Sequence, residues 1–94
     1  MILSFGDKRT EQFSLGHRER AFEKIETAAR IRLDRLQDAV GLSDMAALPG
    51  NRFERLRGDR EGPYSIRIND QFRICFGWDD EAKGFVNVEI VDYH

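Results

Sequence analysis

Cysteine is almost missing from this chain: Cys75 is the one thiol among 94 residues. An intramolecular disulfide is therefore excluded, and a reducing, cytoplasmic setting is expected. Long apolar runs are missing too. None approaches membrane-spanning length, and the opening Met1-Ile2-Leu3-Ser4-Phe5 is too short for a signal peptide, so no membrane role is expected. Histidine is limited to His17 and His94, and no Cys/His cluster has zinc-ligand spacing. No glycine pattern matches a phosphate loop, so neither a metal nor any other cofactor is expected. An excess of charge of one sign is also lacking. Lys and Arg number 15 against 17 Asp and Glu, a formal net charge of -2. That offers no global attraction to nucleic acid, and any RNA contact must come from a local patch. Repeats, low-complexity tracts and linkers are not found.

What is present reads as globular. Apolar residues make up 40% and charged residues 34% of the chain, which suits one compact domain, residues 1–94, with a single core of limited depth. The most informative stretch runs from Arg57 to Phe76, RGDREGPYSIRINDQFRICF. It opens on a charged turn, Gly58-Asp59-Arg60-Glu61-Gly62, and continues into two alternating strands. Tyr64, Ile66 and Ile68 share one parity, and Ser65 and Arg67 the other. Phe72, Ile74 and Phe76 then alternate with Arg73 and Cys75. Side chains along a strand point to opposite faces with period two, so each strand has an apolar face and an arginine-bearing face. A two-residue loop at Asn69-Asp70 would set Ile66 against Arg73 and mix the faces. The three-residue loop Asn69-Asp70-Gln71 pairs Ile68 with Phe72 and Arg67 with Arg73, and the hydrophobic pattern selects it. Two arginines side by side are costly unless an anion, a carboxylate or a phosphate, sits between them.

The rest of the chain follows in order. Ile2 to Phe5 reads as a short first strand. Asp7 is placed to cap a helix running through Phe13 to Leu15, with Gly16 as its stop. A second, longer helix is expected from about Arg18 to Ala39, with Phe22, Ile25, Ala29, Leu33, Leu36 and Val40 forming one apolar stripe. Its other side, with Arg20, Glu23, Lys24, Glu26, Arg30 and Arg35, is mixed in sign and reads as a solvated face rather than a nucleic-acid helix. Ser43 is placed to cap one short turn that Pro49-Gly50 ends. Asn51 to Leu56 is the next strand, Asp79 to Gly84 an acidic loop, and Phe85 to Val91 the last strand, with Val86, Val88 and Ile90 facing the apolar side. Helices followed by consecutive hairpin strands imply an α+β fold, with both helices on one face of a mainly antiparallel sheet. The other face is partly open and displays Arg67, Arg73, Glu89 and Tyr93. Cys75 reads as a packed thiol rather than a nucleophile, because no base follows at a useful strand position. His17 reads as a solvated linker residue, and Phe76 and Trp78 as core or rim.

GDREG, SIRINDQFRICF and the closing VNVEIVDYH, taken together and in order, strongly resemble the HigB-type branch of the RelE/ParE superfamily of toxins. The resemblance spans nearly the whole chain, Met1 to His94. It implies a RelE-like β-α-α-β-β-β(-β) order and a ribosome-dependent, metal-independent mRNA endoribonuclease. Such cleavage uses the ribose 2′-hydroxyl as nucleophile and needs a base, an acid and cations for the phosphorane. Arginine stays protonated at any working pH, so Arg67 and Arg73 suit charge stabilisation rather than proton transfer. The resemblance points most directly at Arg73. The plain alternative for either arginine is an ion pair with Glu54 or Glu89 across the sheet.

The terminal Asp92, Tyr93 and His94 match family residues that contribute to catalysis or substrate placement, and histidine is easily poised for proton transfer near neutral pH. Fraying of a chain terminus is the other reading of these residues. Some relatives carry a catalytic His in the strand before GDREG. This chain has Phe53-Glu54-Arg55 there, which makes Glu54 a candidate base. Arg52, Arg55, Arg57 and Arg60, with Arg67, form the candidate RNA-binding patch. The implied partners are a HigA-like helix-turn-helix antitoxin, the ribosome and mRNA, with operator DNA reached only through the antitoxin complex. Two rival readings share the fold. A ParE-like topoisomerase inhibitor would not need Asp92-Tyr93-His94, and an inactive co-repressor would serve only as the antitoxin's partner.

Overall fold

The computed structural model describes residues 1–56 and 62–92. Among them the chain is α+β, with helices α1 (Lys8–Ser14), α2 (Glu26–Asp38) and α3 (Leu42–Ala46) preceding a sheet of strands β1 (Glu54–Arg55), β2 (Tyr64–Arg67), β3 (Phe72–Asp79) and β4 (Gly84–Asp92). The strands lie in the order β1-β2-β3-β4, each antiparallel to the next. The expected hairpin register is present. Arg67 faces Arg73, Ile66 faces Ile74 and Tyr64 faces Phe76, and Ile68 N donates to Phe72 O at 3.0 Å. Asn69 closes the loop through its side-chain oxygen, which accepts from Gln71 N at 2.9 Å and Phe72 N at 2.7 Å. This is the local hydrogen bonding that makes Asn a turn residue.

One face of the sheet carries Tyr64, Ile66, Ile68, Ile74, Phe76 and Trp78, which join Phe13, Phe22, Ile25, Leu33 and Leu36 from the helical half in one buried cluster. α1 begins as expected, with the Asp7 carboxylate accepting from Thr10 N at 2.6 Å. It ends where Gly16 turns left-handed (φ 102). There Gly16 N donates to Phe13 O and His17 N to Gln12 O, the paired bonds of a glycine-stopped helix.

The long helix expected from Arg18 to Ala39 is instead a 3-10 helix, Arg20–Ile25, followed by α2. Phe22 and Ile25 are three apart and stay on one face in either geometry, so their spacing could not distinguish the two. The stripe also ends early. Ala39 is extended (ψ 142) and Val40 is 82% exposed. The Asp44 carboxylate accepts from Val40 N at 2.9 Å and Gly41 N at 3.3 Å, drawing the chain off the helix axis. Ser43 therefore lies inside α3 rather than capping it. Arg30, expected on the solvated side, reaches α1 instead. Its guanidinium sits 4.0 Å from the Phe13 ring centroid and donates to Phe13 O at 2.7 Å.

Three strand expectations are also corrected. Ile2 and Phe5 make isolated parallel bridges to Phe85 and Val88 rather than a strand. The strand expected from Asn51 to Leu56 shrinks to Glu54–Arg55, because Asn51 belongs to a 3-10 turn, Pro49–Asn51, and Arg52 is left-handed. In β4 the register slips by one between Cys75 and Gly77, at a bulge where Asn87 takes φ 54. The extra residue turns Val86 to the opposite face and puts Phe85, 0% exposed, into the core with Val88 and Ile90. Asn87 N donates to Ser4 Oγ at 2.9 Å, and Ile90 N to Thr10 Oγ1 at 3.0 Å. The outer edge of β4 is thereby occupied by the N-terminal segment and α1.

The bulge makes a test of the fold. A left-handed conformation suits Asn or Gly and costs a β-branched residue about 1–2 kcal/mol. Asn87→Val should lose about that much in denaturant unfolding, while Asn87→Gly should stay within about 0.5 kcal/mol of the parent.

Candidate active site

The second face of the sheet is built by the residues that alternate with the core. Cross-strand pairing aligns Glu54 with Ser65, Ser65 with Cys75 and Cys75 with Glu89. The neighbouring row holds Arg67, Arg73 and Val91. A cavity of about 600 Å³ opens on this face, with Pro63, Cys75, Gly77, Val86 and Glu89 among its lining residues. Gly62 also lines it, at φ 111, where an added Cβ would meet Gly77 Cα at 3.1 Å. A side chain there would press on the cavity floor.

Arg73 is the centre of the arrangement. Its Nε donates to Ser65 Oγ at 2.9 Å and its Nη2 to Arg52 O at 2.8 Å. These two acceptors hold the guanidinium in place over the sheet. The carbonyl of Arg52 is available because Arg52 itself is left-handed (φ 46, ψ 54). Buried Asn51 pins the preceding turn by donating Nδ2 to Met45 O at 3.1 Å. Arg67 behaves differently. It forms an ion pair with Asp70 in its own hairpin loop, and its carbonyl accepts from Arg32 Nε at 2.7 Å. The paired arginines diverge, Arg67 to Asp70 in the loop and Arg73 towards Ser65 and Arg52. Burial, aided by Arg35 and Arg67, pushes the Arg32 guanidinium below its ordinary range.

The other candidate residues divide by face. Glu54, exposed on β1, lies opposite Ser65, so this carboxylate and the Arg73 guanidinium are brought to one corner. Arg55 belongs to the helix-side face, with its guanidinium 5.7 Å from the centroid of the Tyr64 ring. Arg52 contributes its carbonyl to the site, and its side chain is exposed. Asp92 pairs with Phe72 on the helix-side parity and accepts from Gln71 Nε2 at 3.0 Å, so the sheet separates it from Arg73. Arg57, Arg60, Tyr93 and His94 lie outside the described residues. Among the described residues no group of three or more His, Cys, Asp or Glu is placed to hold a metal ion. No helix there is long and apolar enough to cross a membrane.

Ser65 was not among the sequence candidates, and Glu89, expected on the open face as the alternative ion-pair partner of an arginine, lines its cavity. The parity of Ser65 with Arg67 was a signal, because it puts the hydroxyl on the arginine-bearing face of the hairpin. Cys75, between Ser65 and Glu89, reports on the local field. Burial pushes its thiol up, Glu89 adds to the shift and Arg73 opposes it. The raised value keeps the thiol protonated near neutrality, as expected of a packed cysteine. Thiol alkylation followed against pH should therefore reach half its maximal rate at a higher pH than for an unhindered cysteine. Glu89→Gln should lower that midpoint by removing a charge that opposes the thiolate, and Arg73→Ala should raise it further.

Residues 3–94 match the family model of the RelE-like toxin of the type II toxin–antitoxin system HigB. The chain is also 42% identical, over 82 residues, to Toxin HigB-1 of Vibrio cholerae serotype O1 (strain ATCC 39315 / El Tor Inaba N16961), covering 85% of this chain and 86% of that protein. An α+β fold with a four-stranded antiparallel sheet accords with the family match. The chain belongs to the RelE-like HigB toxins of type II toxin–antitoxin systems, and an antitoxin is its partner.

Proposed function

We propose that the protein is a metal-independent endoribonuclease that cuts mRNA on the ribosome. HigB toxins are generally ribonucleases. The observation that carries the reading for this chain is the Arg73 guanidinium, fixed on the open face by Ser65 Oγ and Arg52 O with Glu54 in the same corner. In the reaction, Glu54 accepts the proton of a ribose 2′-hydroxyl, whose oxygen attacks the adjacent phosphorus. Arg73 binds the phosphate oxygens as negative charge accumulates on them. The bond to the 5′ oxygen breaks, and His94 supplies the proton that leaves with it. The products are a 2′,3′-cyclic phosphate and a free 5′-hydroxyl, with no metal required for the balance. Tyr93 is assigned to orienting the RNA. Asp92, on the helix-side parity, is assigned to positioning the last strand through Gln71 rather than to proton transfer.

RNA binding is supported only locally. A chain of net charge -2 gains little from bulk attraction, and a few phosphate contacts bind weakly on their own. Presentation of mRNA by the ribosome supplies the missing positioning, which sets the protein in the cytoplasm. Arg52 and Arg67 flank the site, and Arg57 and Arg60 are assigned to the outer path of the RNA, whereas Arg55, over the Tyr64 ring on the helix-side face, is not. The antitoxin is proposed to be a HigA-like helix-turn-helix protein, through which the complex reaches operator DNA.

The test is to map 5′ ends of cellular mRNA shortly after induction. The parent should cut within reading frames, and intact mRNA would overturn the reading. Arg73→Ala should lose cleavage ~100-fold or more while giving up only about 1–2 kcal/mol of stability with its hydrogen bonds. A folded Arg73→Ala variant that cuts at the parent rate would remove Arg73 from the mechanism. His94→Ala should lose ~10²–10⁴-fold, as for a positioned general acid, and should still bind the antitoxin. Cleavage at the parent rate by that variant would remove the assigned acid.

A further inference from the structure

Building on the reading of Arg73 as the phosphate-binding cation, we infer that Ser65 is its positioning residue: the Ser65 hydroxyl, with the main-chain carbonyl of Arg52, sets the plane and direction of the guanidinium. Ser65 is 0% exposed, although it points to the open face. Its flanking residues on β2, Tyr64 and Ile66, are buried in the core at 1% and 0%. Alanine would fill the space of Ser65 nearly as well, so packing alone does not call for a hydroxyl. A buried hydroxyl must be hydrogen-bonded to offset its lost hydration, and here its oxygen accepts from Arg73 Nε at 2.9 Å.

Two acceptors fix more than one does. Nε and Nη2 lie along the same edge of the planar fork, and a rigid plane held at two points on one edge cannot swing about its terminal bond. The second point, Arg52 O at 2.8 Å, comes from a segment far away in the chain. It is itself fixed by the left-handed Arg52 and by the Asn51 bond to Met45 O. A carboxylate at position 65 would hold the arginine as firmly but would neutralise it. A neutral hydroxyl orients the cation without placing a negative charge of its own beside it. Glu54 faces Ser65 across β1 and β2, so the same hydroxyl sets the guanidinium relative to the carboxylate that takes the proton.

The experiment reads position and chemistry separately. In ¹⁵N-labelled protein, exchange of the Arg73 Nε proton with water reports the bond to Ser65 without reference to RNA. Ser65→Ala should speed that exchange ~10-fold, in keeping with one lost hydrogen bond, and Ser65→Thr, which keeps the hydroxyl, should restore it. In the mRNA assay Ser65→Ala should slow cleavage roughly 10–100-fold, the scale of a misplaced catalytic group, and Ser65→Thr should recover it. In an Arg73→Ala background, Ser65→Ala should cost nothing further, because residues acting as a unit are not additive. Should Ser65→Ala fail to fold, Ser65→Cys keeps the volume with a weak acceptor and takes its place in every arm. Unchanged proton exchange in the folded variant, or a second loss of rate on top of Arg73→Ala, overturns the role. If the parent itself cuts no mRNA, the proposed function falls, and the exchange arm alone decides for or against Ser65 as the residue that orients Arg73.

Discussion

An arginine cannot shed its proton, so a sheet that carries one half-buried on its face must supply acceptors for the fork. Arg73 meets that demand with Ser65 Oγ and Arg52 O, and much of the local structure follows from it. The 3-10 turn Pro49–Asn51 and the left-handed Arg52 bring a main-chain carbonyl over the sheet. β1 is reduced to Glu54–Arg55 because the chain before it is committed to that turn. Ser65 stays small and polar within a strand whose other buried residues are large and apolar. The same pair of hydrogen bonds thus holds the cation proposed for catalysis and ties β3 to β2 and to the segment before β1.

The shape of the open face depends on a second constraint, the bulge in β4. Period-two alternation would keep Val86, Val88 and Ile90 together, and the single extra residue at Asn87 divides them. Phe85 takes the core position, where its ring meets Phe76 at 5.3 Å and Trp78 at 5.1 Å between centroids. Val86 moves to the cavity wall beside Gly77 and Glu89. One residue in an unusual backbone conformation therefore both tightens the core and helps form a recess on the opposite side.

Electrostatics separate this chain from a protein that binds RNA by bulk attraction. The net charge of -2 leaves the work to individually placed groups, and those groups are fixed by short-range bonds. Arg67 is paired with Asp70 at the hairpin loop, and Arg73 is oriented by Ser65 Oγ and Arg52 O. The two arginines that face each other in the register are, in consequence, turned to different partners. Arg73, held over the open face, is the phosphate site proposed above, and Arg67 takes a flanking role there.

Much of the fold was legible in the sequence because it rests on short-range periodicity. The alternation of Tyr64-Ile66-Ile68 against Phe72-Ile74-Phe76 admits only one loop length, and the structure has the Arg67–Arg73 pairing it requires. The Asp7 cap and the Gly16 stop are likewise local events. The spacing of Phe22 and Ile25 could not reveal a 3-10 helix, since residues three apart share a face in both helix types. The divergence of Arg67 and Arg73, the separation of Asp92 and Arg55 from the open face, and the grip of Arg52 on Arg73 were decided only in three dimensions. Each turns on a contact between segments far apart in the chain, or on a left-handed residue such as Arg52 or Asn87. Local propensity encodes such conformations weakly, and the packing around them determines which residue adopts them. Strand alternation was enough to sort residue types onto each face and to mark the family; which of those residues meet was set by packing, because a hydrogen bond needs both ends in place before it can select a conformation.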